Sequence, residues 1–206
     1  MLRSMAGSSQ KEKPAGKGRK PPRGPKRVTP TYLENAALFY LGRTAASVAH
    51  FRRVLMNKVR RSASFHGTDV EEGAAIVEDL IKRYVRSGLL NDAAYAEAKV
   101  TQLHRKGLAL RRIHADLRTK GVEAEAIGGA VAKLREGTAA PDLAAAIAYV
   151  RRRRLGPCRP SAERPGRHAR DLAALARAGF SYEVAQKVLA AKDVEALEAL
   201  REEEDA

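Results

Sequence analysis

The sequence predicts an all-α chain of about nine helices, arranged as tandem three-helix repeats behind a disordered basic N-terminal tail. Three observations carry this. Alanine supplies 38 of 206 residues, against five isoleucines and no tryptophan. Alanine is the strongest helix former, whereas strands prefer β-branched and aromatic residues. No proline occurs between Thr31 and Ala140, so no helix interior there is broken by one. Finally, apolar residues recur at helical spacing in short runs that end at glycine.

The elements follow in order. Residues 1–30 hold nine Lys/Arg, one acid and five of the nine prolines. With almost nothing apolar to bury, such a segment cannot offset its ordering entropy. Its Pro/Gly/Lys run also argues against an amphipathic targeting helix. A first helix is expected from Thr31, with Glu34 completing a capping box. It carries Leu33, Ala36, Ala37, Tyr40 and Leu41. A second begins near Thr44 or Ser47, with Val48, Phe51, Leu55 and Val59 on one stripe, and polar residues 60–69 interrupt the pattern. The third starts near Thr68–Asp69, carries Ile76 to Val85 and stops at Gly88. Asp92 is expected to cap the fourth, which ends at Gly107. The fifth carries Leu110, Ile113 and Leu117 and stops at Gly121. The sixth carries Ile127, Val131 and Leu134 and stops at Gly137. Asp142 is expected to cap the seventh, which ends at Gly156–Pro157, and residues 156–166 read as a loop. The eighth carries Leu172 and Leu175. The ninth is capped by Ser181. The acidic segment after Val194 is expected to fray.

Helices in threes invite a search for internal similarity. Leu117 through Gly121–Val122 aligns with Leu175 through Gly179–Phe180, and pairs four apart follow each, Ile127/Val131 and Ala185/Leu189. The expected units are 31–90, 91–137 and 138–192, flanked by the tail 1–30 and the acidic segment 193–206. Units this small stack on their neighbours, in an elongated curved array whose long surface suits a long partner.

Charge and chemistry narrow the function. The chain carries 39 Lys/Arg against 24 Asp/Glu, a net charge of +15, with a pI of about 10.3. Such an excess attracts phosphates and acidic surfaces. The one cysteine, Cys158, excludes an intrachain disulfide framework and a multi-cysteine metal site, which suits a reducing cytoplasm. A cation beside it lowers a thiol pKa, but no base to activate it is apparent. The histidines at 50, 66, 104, 114 and 168 are never four apart, as a helical zinc pair requires. Phosphate-loop, HExxH and nucleophile-elbow motifs are absent from the sequence. Glu71 and Glu72 fall in a first helical turn, where carboxylates complement the helix dipole. The expectation is a non-enzyme without metal or cofactor, monomeric and without a membrane span.

The candidate partner- and DNA-binding residues are therefore basic: Arg43, Arg52, Arg53, Arg105, Lys106, Arg111, Arg112 and the run Arg151, Arg152, Arg153 and Arg154. Four successive helical residues span all sides, so the run cannot meet one partner as a whole. Arg60 and Arg61 extend the Arg52–Arg53 patch. Aromatics are few and mostly at core spacing, which gives base stacking weak support. Phe180 reads as a packing anchor.

Four segments stand out in order: Tyr32-Leu33-Glu34-Asn35-Ala36-Ala37 through Arg43; Gly88-Leu89-Leu90-Asn91-Asp92 with Tyr95-Ala96; Lys106-Gly107, Ile113, Leu117 and Lys120-Gly121-Val122; and Gly179-Phe180-Ser181 with Val184. Together, over about residues 31–191, they resemble the RecX regulatory proteins of bacteria. The first is similar to that family's opening helix and the second to its most specific segment. Three positions depart from the likeness: His50-Phe51 replaces Glu-Leu, and Ala178 replaces a basic residue. The resemblance implies tandem three-helix repeats, and a protein that binds the RecA recombinase–DNA filament along its groove. It also implies restraint of filament growth, ATP hydrolysis and strand exchange. An autonomous, sequence-nonspecific nucleic-acid binder, with a helix-turn-helix around Gly121, is the competing expectation. Ala124, Ala126, Gly128 and Gly129 give its recognition helix little to read bases with. A basic chaperone-like scaffold is a third.

Overall fold

A computed structural model describes residues 24–205, and the described residues contain helices and no strands. The part of the expected basic tail before Gly24 lies outside them. The helices are α1 (Pro30–Leu41), α2 (Val48–His66), α3 (Val70–Arg86), α4 (Asp92–Arg105), α5 (Leu110–Thr119) and α6 (Ala124–Glu136). They continue with α7 (Pro141–Arg153), α8 (His168–Arg177), α9 (Tyr182–Ala190) and α10 (Val194–Asp205).

Buried apolar side chains fall into three clusters. The first runs from Leu33 to Leu90 and centres on Phe51, Leu55, Val59, Val77 and Leu80. Phe51, one of the departures from the family pattern, lies 6.1 Å from the rings of both Tyr40 and Tyr84. The second runs from Tyr95 to Ala130, around Val100, Ile113, Leu117 and Ile127. The third comprises residues of α7 to α10 together with Ala109 from the α4–α5 connection. Within it Phe180 is buried and meets Tyr149 edge-on at 6.1 Å, the packing anchor expected of it.

Successive groups of helices are joined in a repeated way. The Ser47 hydroxyl donates to the Lys120 carbonyl at 2.6 Å, and one connection further on the Ala109 amide donates to the Ala178 carbonyl. Lys120 and Ala178 occupy the same place, each just before a left-handed glycine, Gly121 and Gly179. After each glycine the chain closes identically: the Val122 amide reaches Leu117 O and the Phe180 amide reaches Leu175 O. Loss of the basic side chain at Ala178 leaves this joint intact because the joint uses the backbone.

Local structure corrects several expectations. α1 is capped by Thr29, whose hydroxyl accepts from the Tyr32 amide, and Pro30 takes the first helical position. Proline is preorganised for that position, so the helix starts two residues earlier than a Thr31 capping box allows. α2 continues through the polar residues after Arg60 to His66 and ends on left-handed Gly67. Its apparent break is only a change of environment. Ser62 is fully buried, and its hydroxyl oxygen accepts from the Val28 amide and the Thr68 hydroxyl. Asn91, not Asp92, caps α4. Residues 156–166 form two short 3-10 turns, held by Arg164 donating to the carbonyls of Pro157, Arg159 and Lys192. The acidic C-terminal segment is helical rather than frayed. Asp193 caps it and Leu197 is fully buried in the third cluster.

Candidate partner and nucleic-acid interface

Seven of the predicted basic residues, Arg43, Arg105, Lys106 and Arg151 to Arg154, lie at or just past the C-terminal ends of α1, α4 and α7, where cations complement the helix dipole, whereas Arg52 and Arg53 lie within α2 and Arg111 and Arg112 in the first turn of α5. All are exposed except Arg52, which is half-buried. Their surroundings divide them. Arg52 grips Glu78 of α3 with two donors, at 2.6 and 3.0 Å. The arginine holds the Glu78 carboxyl below its usual range, and Glu78 in turn raises Arg52. That pair ties α2 to α3. Arg112 bridges to Asp116 one turn on at 3.2 Å. Arg53 donates to Nδ1 of His50 at 2.7 Å. Burial first, then Arg53 and Lys120, lower the His50 pKa, which favours the neutral ring as acceptor. Arg43 lies over the Phe39 ring at 5.5 Å.

The four-arginine run separates as the geometry of a helix requires. Arg151 pairs with Glu198 of α10. Arg152 and Arg153 sit 5.8 and 5.9 Å from the Tyr149 ring centroid. Arg154 ends α7 in the left-handed region, at φ 52°. No carboxylate lies within ion-pair distance of Arg105, Lys106, Arg111, Arg152, Arg153 or Arg154 among the described residues. Arg105 and Lys106 border a groove of about 880 Å³ between α4 and α6. Ala94, Ala98, Ala130 and Leu134 contribute apolar walls, and a Lys133–Glu97 pair crosses it at 2.7 Å.

The helix-turn-helix pair can also be placed. Between α5 and α6, Gly121 approaches Ala49 at the start of α2. The outer face of α6 presents Ala124, Gly128 and Gly129, all exposed. Neither glycine nor alanine offers donors or acceptors to a base edge.

One basic region escaped the sequence reading. Gly24, Pro25, Lys26 and Arg27 lie along α2 and line, with Tyr32, Lys58, Arg61 and His66, a cavity of about 530 Å³. Its signal was hidden because Lys26 and Arg27 look like part of a tail, and Tyr32 looks like one more helix residue. Only the contacts of Val28 and Pro25 with Ser62 and His66 bring them to α2.

Other chemistry finds less support. Burial, outweighing Arg151 and Arg164, pushes the Cys158 thiol up, away from the thiolate needed for attack. Glu71 and Glu72 lie in the first turn of α3, where their amides donate to Asp69. Among the described residues, no three His, Cys, Asp or Glu side chains gather as a metal site. No helix among them is long and apolar enough to cross a membrane.

This fold and surface define a class: a helical protein of joined small clusters, with an exposed chemistry dominated by cations. Comparison with known proteins places it further. The family model for RecX, second three-helix domain, matches residues 91–131. A Regulatory protein RecX from Myxococcus xanthus is 48% identical over 178 residues, covering 84% of this chain and 94% of the relative. One from Agrobacterium fabrum is 32% identical over 166 residues, 81% and 86% of the two chains. One from Streptomyces lividans is 35% identical over 173 residues, 82% and 79% of the two chains. No solved structure matches. The chain belongs to the RecX family of regulatory proteins, a family of regulators rather than enzymes.

Proposed function

We propose that this chain is a non-catalytic regulator that binds the RecA recombinase–DNA filament in the cytoplasm and restrains its ATP turnover, growth and strand exchange. Membership of the RecX family is the observation that carries this reading. The structure adds a physical rationale. Three core clusters accompany the expected units 31–90, 91–137 and 138–192, with Ala109 and Leu197 added to the third, and hydrogen bonds at Ser47–Lys120 and Ala109–Ala178 tie successive units together. A monomer so joined presents its cations at set spacings to a repeating partner. Arg105, Lys106, Arg111 and Arg152 to Arg154 meet acidic protein surface or DNA phosphates, while Arg52 and Arg151 act within the fold. Bridging adjacent recombinase subunits then hinders the motions that accompany ATP turnover.

The test is the ATPase rate of the cognate recombinase on single-stranded DNA with this protein titrated in. DNA is held in excess, so that coating of bare DNA contributes little. A steep fall at protein amounts well below the recombinase supports the regulator. An unchanged rate, with tight salt-sensitive binding to bare DNA, replaces it with an autonomous nucleic-acid binder.

A further inference from the structure

We propose that the cleft between the start of α1 and the C-terminal half of α2 docks single-stranded nucleic acid, with phosphates on Lys26, Arg27, Lys58 and Arg61 and an unpaired base on Tyr32. The inference rests on nucleic acid being part of this protein's target, but not on the recombinase.

Four observations converge. First, the cleft is cationic throughout. The cavity of about 530 Å³ shares Lys26, Arg27, Tyr32 and Lys58 with an adjoining one of about 510 Å³, and neither has an Asp or Glu among the described residues of its wall. Elsewhere, Arg52, Arg112 and Arg151 each have a carboxylate partner. In the cleft, no carboxylate among the described residues lies within ion-pair distance of Lys26, Arg27, Lys58 or Arg61.

Second, the cations gather on an aromatic ring. The ammonium groups of Lys26 and Lys58 lie 5.8 and 5.9 Å from the Tyr32 ring centroid, one from the extended segment and one from α2. A nucleotide needs this pairing, an aromatic face for its base beside a cation for its phosphate. As the base stacks, it displaces an ammonium toward the phosphate that accompanies it.

Third, the arrangement recurs along α1. Phe39, 69% exposed, lines the second cavity and carries Arg43 over its ring. Tyr32 and Phe39 are seven residues apart, so they share one side of α1 about 10 Å from each other. Phe39 thus gives the same side of α1 a second ring with a cation beside it. Two such rings suit successive unpaired bases and not a duplex, whose bases are stacked on one another.

Fourth, the chain leading into the cleft is itself basic. Immediately before Gly24 the sequence supplies Lys11, Lys13, Lys17, Arg19, Lys20 and Arg23, with Glu12 as the lone acid. Such a run of cations adds sequence-independent attraction for phosphates.

The experiment measures binding of the full chain to a fluorescein-labelled oligothymidylate by anisotropy, without recombinase and across a salt series. An abasic strand of equal length and an unlabelled duplex serve as comparators. Lys58→Ala with Arg61→Ala should weaken binding about tenfold and reduce the log–log salt slope by about 1.4, the loss of two phosphate contacts on a single strand. Tyr32→Leu should weaken binding to the oligothymidylate about tenfold, as loss of one stacked base does, yet leave the abasic strand unaffected. Circular dichroism and thermal melting check that each variant is folded. Wild-type affinity in the folded double variant overturns the proposal. So does an equal loss on the abasic strand in Tyr32→Leu, or a duplex competing as well as the single strand. Recombinase inhibition that survives while this binding is absent removes the cleft and leaves the regulatory reading standing.

Discussion

Gly107 has a reason to be glycine that Gly67 lacks. Both lie in the left-handed region, at φ 70° and 66°. A Cβ on Gly67 meets nothing within 4 Å, whereas one on Gly107 lies 2.8 Å from both the Ala145 carbonyl oxygen and the Tyr149 nitrogen of α7. Backbone in the middle of a helix cannot retreat as the end of a side chain can. Gly67→Ala should therefore cost only the left-handed penalty, about 1 kcal/mol. Gly107→Ala should add a packing penalty, for a total of about 3 kcal/mol. Urea denaturation of both variants decides between them, and equal losses would show that the α4–α5 turn does not press on α7 in solution. Arg154 makes the complementary point. It takes the left-handed conformation after α7 without glycine, so the sequence alone, with no glycine there, placed the stop at Gly156.

Between elements, two aspartates do work that their sequence positions disguise. The Asp92 carboxylate accepts from the Val48 amide at the start of α2, and Asp142 does the same for the Leu110 amide at the start of α5, both at 2.8 Å. Each was expected to cap its own helix; each instead satisfies an orphan amide of an earlier one. α2 also has Ser47 as a side-chain cap, while α5 has no side-chain cap of its own. Asp142→Ala should thus cost about 1–2 kcal/mol in urea denaturation, and more than Asp92→Ala. The reverse order would mean that Ser47 contributes little to α2. The contrast shows what was legible beforehand. Apolar stripes such as Val77, Leu80, Ile81 and Tyr84, and stops such as Gly121 and Gly179, are local patterns, and the sequence located them. A cap offered across 32 or 44 residues has no local signature. Neither has Ser62, whose burial makes a polar stretch part of α2, nor Leu197, whose burial draws an acidic segment into the third cluster.

At the scale of the molecule, a net charge of +15 does not say which cations are available. Their exposed position could be read from the apolar stripes, because residues off the stripe face outward. Their partners could not, since Glu78 and Glu198 reach Arg52 and Arg151 only after α3 and α10 have packed. That sorting yields the most direct test of the proposed interface. Arg105, Lys106 and Arg111 lie along the α4–α5 connection, exposed and with no carboxylate within ion-pair distance among the described residues. Replacing all three with Ala removes charge without removing buried contacts, so the thermal midpoint should stay near wild type. If each makes one salt-sensitive contact, about 1 kcal/mol apiece, inhibition of the recombinase ATPase should require at least tenfold more protein. Arg52→Ala should do the opposite, lowering the thermal midpoint slightly and leaving inhibition nearly intact, because its guanidinium already serves Glu78. The Arg52 ion pair is more than one-third exposed, so its stability effect should be small. Should Arg52→Ala impair inhibition more than the triple variant, the filament-facing surface lies on α2 and α3 instead. The Arg105–Arg111 stretch would then be only a solvated helix connection.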